Sequence, residues 1–145
     1  MYSATPTTLA PIIMYRILEL RVDVFVVEQR CPYPELDGRD LEPTALWVWA
    51  DTDGEISATL RILRDCEGRA RIGRVATAPA QRSAGLASML MRRALDEIGP
   101  GVEILLDAQA YLESWYSRFG FLRAGPEFVD DGIPHVPMAL GERSA

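Results

Sequence analysis

The sequence predicts one α/β domain over residues 1–145, built on a mixed, mostly antiparallel sheet with a central parallel strand pair flanked by helices. Three short apolar runs separated by tight turns predict an antiparallel meander in the first half of the chain. A helix, a continuous apolar run and a second helix then follow, which is typical of a parallel strand pair with a right-handed crossover. The length of 145 residues is enough for one hydrophobic core.

The first predicted element is a helix from Pro11 to Phe25. Proline suits a helix start, because an early helical N–H has no partner within the helix. Apolar residues at helical spacing predict a buried stripe made of Ile13, Ile17, Leu20 and Val24. The following segment, residues 30–43, is rich in Pro, Gly and acidic residues and is predicted to be a loop.

The predicted meander has strands at Leu46–Ala50, Ile56–Leu63 and Arg71–Ala78. The turn residues of Asp51–Gly54 make the first two strands a hairpin. In the second half, periodicity predicts a helix over Leu86–Ile98, a buried strand over Val102–Ala108, a short helix over Tyr111–Arg118, and strands near Leu122–Val129 and His135–Leu140.

The charge balance narrows the functional class. A formal net charge of -6 argues against a nucleic-acid partner and fits a positively charged substrate such as an amine. No apolar stretch is long enough to span a membrane, and the first residues do not resemble a secretory signal. All 15 basic residues are Arg, so any side chain that grips a phosphate must be an Arg.

Two cysteines, Cys31 and Cys66, offer neither a disulfide framework nor the spacing of metal ligands. We therefore expect a reduced, cytoplasmic protein without a metal. Cys31 lies in the Pro-rich run CPYP and is expected to be a surface thiol.

A turn of small residues joins the third strand to the long helix. Ser83, Ala84, Gly85 and Ala87 would let a phosphate group approach the backbone closely, and Arg82 adds a cation at the rim. A helix N-terminus also carries unpaired N–H groups and a partial positive charge. Plain strand-to-helix turns use the same residues, so this segment alone leaves phosphate binding and a structural turn equally open.

The pattern Arg82-x-x-Gly85-x-Ala87 resembles the acetyl-CoA motif [QR]-x-x-G-x-[GA] of the GNAT acetyltransferases. The resemblance implies the GNAT, or acyl-CoA N-acyltransferase, fold and acetyl-CoA as cosubstrate. It implies that the pantetheine arm and acetyl carbonyl pair with the main chain of Val75, Ala76 and Thr77. The residues whose backbone it assigns to the pyrophosphate are Arg82, Ser83, Ala84, Gly85, Leu86 and Ala87.

Residues 109–121 resemble the later motif of the same family, N-x-x-A-x-x-x-Y-x-x-x-G-F. The match places Tyr116 four residues before Gly120. It implies that the Tyr116 hydroxyl points at the coenzyme A sulfur and protonates the leaving thiolate, as a phenol can do. Gln109 stands where the family commonly has Asn, and it could hydrogen-bond the cofactor. Without the first motif, Tyr116 would be interpreted as a packed aromatic.

Longer stretches are similar to the ElaA-like branch of the GNAT proteins, in the expected order. They cover residues 20–29, 31–40, 72–75, 108–109 and 131–138. The chain departs from this pattern at its start, where the usual opening strand is expected to be missing or displaced in the short, Pro-containing segment 1–11. Leu46 stands where the branch usually has His, and Ser83 replaces a common Gly.

An acceptor amine must lose a proton, and the candidates to take it are Glu28, Glu35, Asp37, Asp40, Asp130, Asp131 and His135. Glu28 and His135 are the main ones. Glu28 is the first, because it follows a hydrophobic helix end and is expected to be partly buried; bonding to nearby backbone is the alternative. His135 is the second, since only His has an unperturbed pKa near neutral, although a structural His is also common. The acidic loop Glu35–Asp40 would attract a cationic acceptor or form a solvated turn.

These observations predict an N-acetyltransferase that moves the acetyl group of acetyl-CoA to a primary amine of a small molecule or peptide through a tetrahedral intermediate. Two alternatives remain. The pattern Arg21-x-x-Val24-Phe25 with Glu28 also resembles acyl-homoserine-lactone synthases, which share the fold and use acyl carrier protein and S-adenosylmethionine. A non-catalytic acetyl-CoA-binding module is the other. No nucleic-acid or membrane partner is expected, and a homodimer stays open.

Overall fold

The computed structural model describes residues Met1 to Ala145, which form two compact units. The first contains Met1–Leu63 and Ile72–Glu97, and the second contains Arg64–Arg71 and Ile98–Ala145. Strand β4 (Ala70–Thr77) contributes its first two residues to the second unit and its remainder to the first. That the whole chain folds as a single domain stays a prediction.

The strands of the first unit hydrogen-bond in the order β1 (Tyr2–Ala4), β2 (Leu46–Thr52), β3 (Glu55–Arg64) and β4. Strands β2 and β3 are antiparallel, with Val48 opposite Leu60 and a bulge at Ala50/Asp51. Both strands are buried over most of their length. Strand β2 begins with a continuous apolar run, whereas β3 alternates apolar and polar residues, and the buried hydroxyls of Ser57 and Thr59 donate to carbonyls of β2. The predicted hairpin is confirmed; β2 extends two residues further at its C-terminal end than expected, and β3 extends one residue further at each end.

The opening strand is present, and its expected absence was wrong. Tyr2–Ala4 pairs antiparallel with Trp47–Trp49 of β2. The ring of Tyr2 stacks on that of Trp49 at a centroid distance of 5.5 Å, and the Ser3 hydroxyl donates to Glu97 at 2.7 Å. A strand of three residues is too short for its alternation to stand out in a sequence.

Two helices complete the first unit, α1 (Pro11–Val22) and α2 (Leu86–Ile98). The stripe predicted on α1 is largely confirmed, because Ile17 is 1% exposed and packs with Trp47 and Trp49. The helix does not stop at Phe25: it continues as a π-helix over Asp23–Glu28. Such wide turns are rare and frequently accompany functional sites.

In the second unit, β4 begins parallel to β5 (Ile104–Gln109), with Ala70 opposite Ile104 and Arg71 opposite Leu105, as predicted. Strand β5 pairs antiparallel with β8 (Ile133–Leu140). The two short strands β6 (Leu122–Arg123) and β7 (Phe128–Asp130) also pair with β8. The predicted second helix is a 3₁₀ turn, Ala110–Leu112, followed by α3 (Glu113–Ser117).

Cys31 and Cys66 do not form a disulfide bond. Cys31 is 8% exposed, so the expectation of a surface thiol there was wrong. Its N–H donates to the Val26 carbonyl at 3.1 Å, which folds the residue back under the end of the π-helix. None of the helices combines the length and apolar character that crossing a bilayer needs.

Candidate active site

The small-residue turn between β4 and α2 is exposed and bent by two left-handed residues. Ser83 has φ +69° and Gly85 has φ +78°, and residues 82–85 are all exposed. A Cβ added at Gly85 would meet nothing within 4 Å. The turn therefore presents its backbone to open space directly before a helix of 13 residues.

The N–H groups at the start of this turn are hydrogen-bonded within the chain, whereas those at its helical end are expected to be available to a ligand. The Gln81 N–H donates to Ala78 at 2.8 Å, and that of Arg82 makes a long bond to Pro79 at 3.4 Å. The N–H groups of a helix's first turn have no intrahelical acceptor. Backbone donors for an anion are thus expected from Ser83 onward rather than from Arg82, where the resemblance begins them. The run ends before Met89, whose N–H donates to the Gly85 carbonyl at 3.1 Å.

The side chain of Arg82 joins the turn to the end of the π-helix. Its Nη1 and Nη2 donate to the two carboxylate oxygens of Glu28 at 2.6 and 2.7 Å, and its Nε donates to the Thr77 carbonyl at 3.2 Å. Glu28 is exposed, with 43% of its side-chain surface accessible, so the expected partial burial was wrong. The hydrogen bond from Arg82 lowers the Glu28 pKa, with burial opposing and the Arg82 charge adding.

The last residues of β4 are anchored on the first unit. Ala76 is 3% exposed and packs with Leu20 and Val24, whereas Val75 and Thr77 are half-buried. The next residue, Ala78, donates its N–H to the Ser57 carbonyl at 2.8 Å. The strand end predicted to face a thioester is therefore held from below by apolar packing and at its C-terminal side by β3.

The acidic loop is not a solvated turn, because it closes over a cluster of three arginines. Arg21 Nη1 lies 2.7 Å from Asp40, and its Nη2 lies 2.6 Å from Glu35. Arg61 binds both oxygens of Asp37 at 2.9 and 2.8 Å. The cluster members are Arg21, Glu35, Asp37, Asp40, Arg61 and Arg74.

Burial and pairing make these carboxylates unsuitable as proton acceptors. Glu35 and Asp40 are 4% and 5% exposed, and both are ion-paired with Arg21. Charges buried this deeply need their partners, since an unpaired buried ion is strongly destabilising. The cluster thus fixes the loop in place. Sequence reasoning missed it, although Arg21 and Arg74 lie in stretches similar to the ElaA-like branch.

The cluster should make the fold sensitive to acid. Burial would raise the Asp37 pKa, but hydrogen bonds from Arg61 and from the Arg39 N–H outweigh it and hold the pKa well below its usual range. A carboxyl whose pKa is lower in the folded chain stabilises the fold above its unfolded pKa, and this stabilisation is lost as the pH falls. We expect the free energy of unfolding to decline below about pH 4.

Urea unfolding at a series of pH values checks this expectation. The Asp37→Asn variant should be less stable than the wild type at neutral pH, and its stability should depend less on pH in the acid range. An equal pH dependence in both proteins would show that Asp37 is not responsible.

In the second unit, Tyr116 is 7% exposed and lies among aromatic rings. Its ring meets Trp115 edge-on at 4.8 Å and Phe121 at 6.4 Å. Burial, with a smaller effect from Tyr111, raises the Tyr116 pKa. A phenol of ordinary pKa already keeps its proton at neutral pH, and the raised pKa keeps Tyr116 neutral and able to donate a hydrogen bond.

Gln109 and His135 lie opposite each other where β5 pairs with β8. His135 Nδ1 is 2.7 Å from the Ile133 carbonyl, and the ring stacks on Phe128 at 5.7 Å. A carbonyl only accepts, so Nδ1 carries the proton in the neutral ring and Nε2 carries the lone pair. The structure brings these two predicted residues together, as it does Glu28 and Arg82 in the first unit.

Comparison with known proteins gives consistent relatives. Residues 19–141 match the family model of the acetyltransferase (GNAT) domain. A UPF0039 protein of Mycobacterium tuberculosis is 50% identical over 129 residues, covering 86% of this chain and 82% of that protein. ElaA of Escherichia coli is 37% identical over 131 residues, covering 87% and 86%.

Solved structures agree with these sequence relatives. The crystal structure of E. coli ElaA matches with a TM-score of 0.90 over 99% of this chain and 97% of that one, at 33% identity. An acyl-CoA N-acyltransferase from Pseudomonas aeruginosa also has a TM-score of 0.90, with 38% identity and coverage of 99% and 98%. A CoA-dependent acyl-homoserine lactone synthase has a TM-score of 0.79 with this chain but is only 14% identical to it, so the similarity shows a shared fold alone.

Proposed function

The chain belongs to the GNAT family of acetyltransferases, in its ElaA-like branch, and on that premise we propose that it transfers the acetyl group of acetyl-CoA to a primary amine on a small molecule or peptide. The observation that carries the proposal is the exposed, left-handed turn Arg82–Ala87 at the start of α2. Its small residues leave room for a diphosphate, and the helix start supplies unpaired N–H groups.

In this proposal the turn holds the cofactor through its backbone. The N–H groups of Ser83, Ala84, Gly85, Leu86 and Ala87 donate to the pyrophosphate oxygens, and the guanidinium of Arg82 adds charge-assisted bonds at the rim. Gln109, at the end of β5, offers an amide to the pantetheine arm. Because the site is made of amides and one guanidinium, it suits the phosphates of coenzyme A and needs no metal.

Strand β4 has a catalytic part in the proposal. Val75, Ala76 and Thr77 pair their main chain with the pantetheine arm, and one of their N–H groups polarises the acetyl carbonyl. Donors fixed in advance toward a developing oxyanion lower the barrier without reorganisation. The apolar packing under Ala76 and the bond from Ala78 to Ser57 supply that fixation.

The acceptor nitrogen attacks the acetyl carbonyl carbon and forms a tetrahedral intermediate with an oxyanion. The carbon–sulfur bond then breaks, and the sulfur leaves with the bonding electron pair. Tyr116 donates its proton to that sulfur and is reprotonated from water. The products are an N-acetylated amine and free coenzyme A.

The amine must also give up a proton, and we propose His135 rather than Glu28 as its acceptor. The bond from Nδ1 to Ile133 leaves the lone pair of His135 on Nε2. Glu28 is already bound by both Nη groups of Arg82, which lowers its pKa and makes it a weaker base. His135→Gln should therefore reduce turnover more than Glu28→Gln does.

A screen of amines with acetyl-CoA, followed through release of free thiol, tests the proposed activity. We expect thiol release that depends on an amine, with mass spectrometry showing a gain of one acetyl group on it. Activity only with acyl carrier protein and S-adenosylmethionine would favour the synthase alternative. Binding of acetyl-CoA without turnover of any amine would favour a non-catalytic module.

Glu28 is expected to compete with the cofactor for Arg82. Exposed ion pairs of this kind contribute up to about 1 kcal/mol, so Glu28→Gln should tighten binding of coenzyme A by up to about fivefold. In an Arg82→Ala background the same change should have little effect. Titration calorimetry with coenzyme A on the wild type, the two single variants and the double variant measures the effect of Glu28→Gln with and without Arg82. Weaker binding by Glu28→Gln would mean that Glu28 positions Arg82 instead.

A further inference from the structure

Strand β4 contains a backbone kink at a residue whose side chain is tied to another part of the first unit. Arg74 has φ +54°. The other four non-glycine residues with positive φ, Arg30, Asp53, Ser83 and Asp131, all lie in turns. A residue with a Cβ is disfavoured in this region, and it stays there only when its surroundings hold it.

The contacts that hold Arg74 all lie in the loop Tyr33–Asp37. Its Nε donates to the Glu35 carboxylate at 3.0 Å, and its Nη2 donates to the Glu35 main-chain carbonyl at 3.1 Å. Nη2 also reaches the Asp37 carboxylate at 3.4 Å. The guanidinium carbon lies 5.6 Å from the centre of the Tyr33 ring. The planar guanidinium of Arg74 thus contacts three residues of this loop at once, Tyr33, Glu35 and Asp37.

Glu35 and Asp37, to which Arg74 is bound, are themselves held by other side chains. The Glu35 oxygen that accepts from Arg74 also accepts from Arg21 Nε at 2.7 Å, and Tyr33 donates to the other oxygen. Asp37 is gripped by Arg61 through two bonds. Because Arg21 comes from α1 and Arg61 from β3, the loop is bound to two packed elements, and Arg74 anchors β4 to all of them.

The kink lies directly before the residues whose backbone the proposed reaction uses. Changing φ at Arg74 rotates the peptide that follows it, and so redirects the N–H of Val75. The C-terminal side of the same segment is already fixed, because the Ala78 N–H is bonded to Ser57. Arg74 therefore controls the direction of the Val75 amide at the N-terminal side of this segment.

We propose that Arg74 is a positioning residue for acetyl transfer: its tether to Glu35 and Asp37 maintains the left-handed kink that aims the Val75–Thr77 backbone at the oxyanion. This inference rests on the proposed acetyltransferase function. It gives the buried charge cluster a role besides stability, since the cluster would hold the backbone of β4 in its left-handed conformation at Arg74. A misdirected N–H loses most of its effect on an oxyanion but little on cofactor binding, which depends on the separate turn at Arg82–Ala87.

Three variants separate the kink from the tether. Arg74→Ala removes the tether and disfavours the kink, Arg74→Gly removes the tether and permits the kink, and Arg74→Lys keeps one charged donor. We expect kcat to fall about 10- to 100-fold in Arg74→Ala, less in the other two, with the Kd for acetyl-CoA within about twofold of wild type. Arg71→Ala is the matched control, because Arg71 lies in the same strand and pairs on the surface with Asp107.

Two results would overturn the inference. One is a folded Arg74→Ala protein with wild-type kcat; the other is a rise in Kd that matches the fall in kcat. If Arg74→Ala does not fold, the same criteria apply to the Gly and Lys variants. Backbone amide resonances keep this test separate from the proposed function: Glu35→Gln weakens the tether and leaves residues 74–77 unchanged. In this variant the Val75 amide signal should move even if no acceptor is found, and an unmoved signal would contradict the tether.

Discussion

Replacing Tyr116 by Phe should lower kcat about 100-fold while the Kd for acetyl-CoA stays within about twofold of wild type. The expected loss is the lower range of general acid catalysis, since a thiolate is a better leaving group than an alkoxide. Phe keeps the packing against Trp115 and Phe121 and removes only the hydroxyl. A fall in kcat would therefore be due to loss of the proton that Tyr116 donates, and not to a change in the fold.

Steady-state thiol release and calorimetry on the same preparation measure the two quantities. Tyr111→Phe is the control, because Tyr111 lies in the preceding 3₁₀ turn and is 75% exposed. Its kcat should be unchanged. Wild-type turnover in Tyr116→Phe would remove this residue from the mechanism, and a parallel loss of binding would assign it to the cofactor site instead.

The second large effect is expected at Gly85. A β-branched residue at φ +78° is a strained outlier, and the strain of about 1–3 kcal/mol is relieved only by rearranging the turn. Rearrangement would scatter the N–H groups proposed to hold the diphosphate. Gly85→Val should therefore raise the Kd for coenzyme A about 10- to 100-fold.

Gly68→Val provides a matched control for this strain. Gly68 has φ +81° and equally open space around its Cβ position, and it lies in the turn between β3 and β4. Both variants should lose similar stability in thermal unfolding, but only Gly85→Val should lose coenzyme A binding. Equal binding by the two variants would show that the Arg82–Ala87 turn does not contact the cofactor.

The elements that depend on local pattern were predictable from the sequence. The helical period of α2, the turn after β2 and the strand β5 each involve residues close together in the chain. The expected burial of β5 on both faces was wrong, because the strand begins at Ile104 rather than Val102 and leaves Asp107 exposed. The same holds for the motif around Gly85, whose residues are consecutive. The three-residue strand β1 was not predicted, because it is formed by pairing with β2, which begins 42 residues after β1 ends.

The charge contacts of the site could not be predicted, because each of them joins distant segments. Glu28 and Arg82 are 54 residues apart in sequence, and Arg74 and Glu35 are 39 apart. Acidic residues in a loop look alike whether they face water or bury against arginines. Whether such a loop is buried depends on the arginines that pair with it, and these arginines come from α1, β3 and β4.

The most direct test of the account is a titration of ¹⁵N-labelled protein with acetyl-CoA, read from the backbone amide resonances. If the turn holds the diphosphate, the signals of Ser83, Ala84, Gly85, Leu86 and Ala87 should shift strongly with acetyl-CoA and only weakly with acetyl-pantetheine, which lacks the phosphates. If those five signals stay in place while the protein is saturated with acetyl-CoA, the cofactor lies elsewhere and the proposed chemistry has no site.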